Sequence, residues 1–106
     1  MPTKEARLVQ NECEVTLVNS TDNTTTVNTG PTRLIGIYVN VVLTAEAIEI
    51  ENVSGTSVFT LIPSLAAGQS IDFHGTLFPD ALIINPDDAA ASGQIAVLWR
   101  NVNPDT

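Results

Sequence analysis

From Thr32 to Thr44 the chain alternates with a period of two: Ile35, Ile37, Val39, Val41 and Leu43 fall on one side, Gly36, Tyr38 and Asn40 on the other. Side chains of an extended strand point to opposite faces in turn, whereas a helix repeats every ~3.6 residues, so only a strand gathers these apolar positions onto one face. Gly36 has no side chain to pack, and its place inside the strand predicts a bulge or the close approach of a neighbouring backbone. A chain organised around such a segment must supply partner strands for it.

Other segments share the period. Cys13 to Asn19 predicts a strand with Val15 and Leu17 inward against Glu14 and Thr16, and Ala45 to Val53 one with Ile48 and Ile50 between Glu49 and Glu51. Ser54-Gly55 reads as a hairpin tip leading into a strand from Thr56 to Ile62. Gln69 to His74 alternates through Ile71 and Phe73; Thr76 to Phe78 and Ala81 to Asn85 read as shorter pieces separated by Pro79-Asp80. Gln94 to Arg100 sets Ile95, Val97 and Trp99 against Gln94, Ala96 and Leu98. The run Ser20 to Thr26 is a loop or exposed edge hairpin, and Pro63 to Gly68 and Pro86 to Gly93 are connections. About seven to nine short strands, with no amphipathic helix, predict an all-β chain: a single antiparallel β-sandwich, jelly-roll or immunoglobulin-like. Residues 1–14, with Leu8 and Val9 as adjacent apolar anchors, read as an N-terminal arm on a sandwich domain of residues 15–106.

Composition supports one folded core, since 43% of the 106 residues are hydrophobic. Four Lys and Arg against twelve Asp and Glu give a net charge of −8, which opposes a phosphate backbone, so no nucleic-acid partner is expected. No run approaches the ~18 apolar residues of a membrane-spanning helix, and Met1 to Glu14 lacks the apolar stretch of a signal peptide. Cys13 is the single cysteine and cannot form an internal disulfide, which fits a reducing compartment. The Asn-X-Ser/Thr matches at Asn19, Asn23 and Asn52 would matter only in a secretory pathway.

Catalytic, cofactor and metal-ligating residues are all expected to be absent. Acid–base and nucleophilic catalysis require a nucleophile, a base and an orienting group, and His74 is the single imidazole, placed beside inward Phe73 so that it points outward. Cys13 lies between Glu12 and Glu14, a setting that disfavours a thiolate. Asp72, Asp80, Asp87 and Asp88 do not follow a calcium-loop spacing, and no phosphate loop, zinc pair or dinucleotide fingerprint is present. Trp99 shares a face with Ile95 and Val97 and reads as core. Tyr38 lies opposite the apolar side of its strand and reads as an interface residue. With Leu8 and Val9 of the arm, and Thr24 and Thr25 of the Thr/Asn-rich loop, it makes up the expected partner-binding set.

Five segments in order, Leu34-Ile-Gly-Ile-Tyr-Val-Asn40, a strand with a Ser-Gly turn, Leu65-Ala-Ala-Gly-Gln-Ser-Ile-Asp-Phe73, Leu77-Phe-Pro-Asp-Ala-Leu-Ile-Ile-Asn-Pro86 and Gly93-Gln-Ile-Ala-Val-Leu-Trp-Arg100, resemble small β-sandwich virion proteins encoded in the structural gene clusters of tailed bacteriophages. The resemblance spans roughly residues 32–100. It implies a non-enzymatic particle component: first a capsid cement or decoration protein on the capsid surface, assembled in the host cytoplasm, with the major capsid protein or another virion protein as partner. A homo-oligomer, such as a trimer, is implied as well. A tail, neck or fibre-associated component is the alternative reading, and a carbohydrate-binding module using Tyr38 the second.

Overall fold

A computed structural model describes residues 13–43, 47–86 and 93–102. All regular structure among them is strand: β1 (Glu14–Asn19), β2 (Thr25–Thr29), β3 (Thr32–Val41), β4 (Ile48–Val53), β5 (Thr56–Leu61), β6 (Ser70–Phe78), β7 (Ala81–Asn85) and β8 (Gln94–Asn101). The strands form two four-stranded sheets, in the orders β1-β8-β3-β6 and β2-β7-β4-β5, and every pairing is antiparallel. The chain is an all-β, two-sheet sandwich. Its pairs β4·β5, β3·β6, β2·β7 and β1·β8 nest inside one another, so the fold is one long antiparallel ribbon wrapped into two layers. That connectivity is the jelly roll, and it separates the two sandwich types the sequence left open.

The core lies between the layers. Val18, Leu34, Ile37, Val39, Ile95 and Val97 come from one sheet, and Ile48, Ile50, Leu61, Leu82 and Ile84 from the other. Phe59 packs its ring at 5.0 Å from Phe73 and 6.3 Å from Phe78, both tilted, and so joins β5 to β6 across the sandwich. The turn at Ser54-Gly55 is present with Gly55 at φ 90°, and Gly68 closes the 63–68 connection at φ 92°. Both are left-handed positions that favour glycine.

The structure corrects three sequence expectations. In β1 the inward residues are Thr16 and Val18, while Val15 and Leu17 point out at 58% and 54% exposure. Trp99 of β8 fixes that choice by donating its indole N–H to Thr16 Oγ1 at 2.9 Å. In β3 the alternation does not run through: Leu34, Ile37 and Val39 are buried, Ile35 is half-buried and Val41 exposed. The register shifts between Leu34 and Gly36 against both β6 and β8, which takes Ile35 off the core face, and again between Val39 and Val41 against β8, which takes Val41 off it. A Cβ on Gly36 would stand 2.9 Å from the Ile71 carbonyl oxygen, so this position carries both the bulge and the close approach expected of it. Finally, Gln69–His74 and Thr76–Phe78 are one strand, β6, continuous through a knuckle at His74-Gly75 where both residues have positive φ.

The edge strand β2 (Thr25–Thr29) begins at the end of the Ser20 to Thr26 run read as a loop or edge hairpin and continues beyond it. Leu8, Val9 and nearly all of the expected arm, the pair Asp87–Asp88, and residues 44–46 lie outside the described residues.

Candidate interaction surface

Apolar side chains are needed on one face of each sheet to make the core; the outward faces differ in how their remaining apolar groups are arranged. In the sheet β2-β7-β4-β5, Glu49 accepts hydrogen bonds from the hydroxyls of Ser57 and Thr60, and Glu51 is buried, taking the Gly55 backbone N–H on Oε1 at 3.0 Å. These polar groups share the sheet's surface with exposed Val53 on β4 and Val58 on β5.

The outward side of β1-β8-β3-β6 is apolar at its centre. Strand register sets Val15 beside Leu98, and Leu17, Ala96 and Tyr38 in one row across three strands. Val15, Leu17 and Tyr38 are exposed, Tyr38 at 43%. Bare backbone at Gly36 leaves a shallow hollow of about 330 Å³, walled by Ile35, Tyr38, Leu98, Ser70 and Asp72. Two polar ends bound the strip. At one end Asn40 Nδ2 donates to Gln94 Oε1 at 3.0 Å and Gln94 Nε2 to Asn19 Oδ1 at 2.9 Å, an amide ladder across β3, β8 and β1. At the other end Arg33 and Arg100 are directly paired across β3 and β8. They are the two cations among the described residues of a chain with net charge −8. Like charges opposed across a ladder cost stability, and Arg33 meets a backbone carbonyl, that of Gly75 at 3.0 Å.

The knuckle on β6 brings His74 and Asp72 together at its edge. The Asp72 carboxylate accepts the His74 backbone N–H at 2.7 Å and lies 3.4 Å from His74 Nδ1, with both side chains open to solvent. The contact caps a turn in which His74 holds φ 57°. Among the described residues, no three His, Cys, Asp or Glu side chains converge as metal ligands. Asp80 is instead engaged with Asn52, whose Nδ2 donates to Asp80 Oδ2 at 2.9 Å. No described helix is long and apolar enough to cross a membrane.

Of the expected contact residues, Tyr38 stands in the middle of the apolar face, while Thr25 belongs to β2 in the opposite sheet and Thr24 precedes it. The structure therefore does not gather these three onto one face. Trp99 is half-buried and packs against the core, as its strand position implied. Val15, Leu17, Leu98 and the arginine pair are the residues that sequence reasoning missed on this face. The unbroken apolar run Ile95-Ala-Val-Leu-Trp99 was a signal: a strand apolar on both sides has something to cover on both.

No known protein family, curated protein or solved structure matches this chain.

Proposed function

We propose that this chain is a non-enzymatic structural protein of a tailed-bacteriophage particle, acting as a capsid cement or decoration protein on the major capsid protein shell. The observation that carries the reading is the contrast between its two outward faces: one mixes polar groups with scattered Val53 and Val58, the other gathers Val15, Leu17, Leu98 and Tyr38 into one apolar strip. Contiguous apolar surface on a small domain marks a site of contact with other protein. Cementing needs a stiff module with adhesive surfaces rather than reactive groups, and repetition on a shell turns weak contacts into durable ones. The resemblance of residues 32–100 to small virion proteins points the same way.

Tyr38, Ser70 and Asp72 around one hollow favour a second reading, a carbohydrate-binding module, because a sugar ring can stack on an aromatic face while a carboxylate takes its hydroxyls.

Co-sedimentation with shells of tailed-phage major capsid protein separates them. Saturable binding at a fixed copy number per shell, with higher shell stability to heat, is the expected result. Absence of binding, together with Tyr38-dependent retention on a glycan array, would overturn it in favour of the sugar-binding reading.

A further inference from the structure

We infer that the apolar outward face of β1-β8-β3-β6 is the seat of a second copy of this chain, packed face to face about a two-fold axis that runs across the strands at the level of Ile37. The inference rests on the same apolar face as the cement reading and names a second copy of this chain as what seats there, leaving the rest of the dimer's surface for the shell. A dimer without shell binding and shell binding without a dimer are therefore distinct outcomes.

Size is the first argument. Four strands spaced ~4.8 Å apart and about eight residues rising ~3.3 Å each make a face of about 500 Å², so full overlap of two faces removes at most about 1,000 Å² from water, the floor for a specific interface. Charge is the second. Acidic residues dominate the molecule, yet among the described residues the charged groups on this face are Arg33, Arg100 and Asp72, so two copies meet here without acid facing acid.

Shape and register supply the third argument. An axis across the strands lays β3 on its counterpart with direction reversed. Gly36 and Tyr38, one residue either side of Ile37, then exchange places: each Tyr38, which walls its own hollow, faces the bare backbone of the other copy's Gly36. The same operation runs through the other strands. Val97 of β8 and Thr16 of β1 lie level with Ile37, by register. Leu98 therefore falls on Ala96 of the other copy, Val15 on Leu17, and Arg100 on Gln94. On β6, Ile71 is the level residue, so the Asp72 carboxylate meets the Ser70 hydroxyl of the other copy. Apolar groups meet apolar groups, each guanidinium meets amide oxygen, and the two arginine pairs end at opposite edges. An isologous interface demands this self-complementarity, because every contact must occur twice.

Sedimentation equilibrium of the full chain tests this over about 1 μM to 1 mM, a span that covers affinities usual for an interface of this size. The wild-type chain is expected to fit a monomer–dimer equilibrium. Leu17→Lys and Tyr38→Lys alter exposed positions and should each weaken it at least ~tenfold, with circular dichroism and melting temperature unchanged to show that the fold survives. A wild-type monomer throughout, a trimer, or a dimer indifferent to both substitutions would overturn the inference.

Discussion

Trp99 donates its indole N–H to the hydroxyl of Thr16 at 2.9 Å, and this bond decides which side of β1 faces the core. The two residues lie on neighbouring strands, and the donor would otherwise stand half-buried without a protein acceptor. Thr16→Val keeps the shape and removes the acceptor. It is expected to cost about 1–2 kcal/mol, the penalty of an unmatched donor, and to shift the tryptophan emission. Urea titration followed by fluorescence measures both; an unchanged midpoint would mean that packing at Val18 alone holds the register.

Gly36 predicts a steric test. Adding one methyl there meets the Ile71 backbone oxygen, which cannot swing aside as a side chain would. Gly36→Ala should destabilise by about 1–3 kcal/mol, the usual cost of overpacking. Gly55 is the comparison, since its added Cβ meets nothing within 4 Å and Gly55→Ala incurs only the conformational cost of φ 90°, about 1 kcal/mol. Thermal melts of the two variants should rank them in that order.

Glu51 is a buried carboxylate that holds the hairpin tip, 2% exposed and bonded to the Gly55 N–H. Glu51→Ala leaves that donor without its side-chain partner and is expected to cost about 1–3 kcal/mol. Glu51→Gln keeps an oxygen in place and should cost less. Hydrogen exchange at the Gly55 amide checks the mechanism directly: it should accelerate in the alanine variant and stay slower with glutamine.

His74 occupies a left-handed backbone position at φ 57°. Glycine adopts that conformation freely, so His74→Gly should be neutral or stabilising by up to about 1 kcal/mol, while the β-branched His74→Val should lose more than about 1 kcal/mol. Melting temperatures of the pair decide it. A large loss on His74→Gly would show that the side chain's contact with Asp72 matters more than the turn.

Period-two alternation placed most strands within a residue or two of their observed ends, since each apolar residue reports locally on burial. It failed where the answer depends on a neighbour. Val15 and Leu17 look inward by composition, but both faces of β1 carry apolar groups, so a one-residue slip in facing is invisible until Trp99 is known to need Thr16. Ile35 was misplaced by the bulge before Gly36, and Val41 by a second register shift, between Val39 and Val41 against β8; both are properties of the pairing. β2 has little apolar content to announce it, lying at a sheet edge. The alignment of Arg33 with Arg100, and hence the shape of the candidate surface, exists only through long-range register, whereas the exposure of Tyr38 was readable from its own strand.

The nested ribbon has a consequence for synthesis. Asn19 and Gln94, bonded side chain to side chain, are 75 residues apart. At about 5–20 residues per second, β1 waits about 4–15 s on the ribosome before its neighbour β8 is made. β3 and β6 can pair in that interval, but β8 must enter between β3 and β1, as the centre of a sheet already half built. The face bearing Val15, Leu17, Leu98 and Tyr38 is therefore finished last, and until then the facing edges of β1 and β3 stay unpaired.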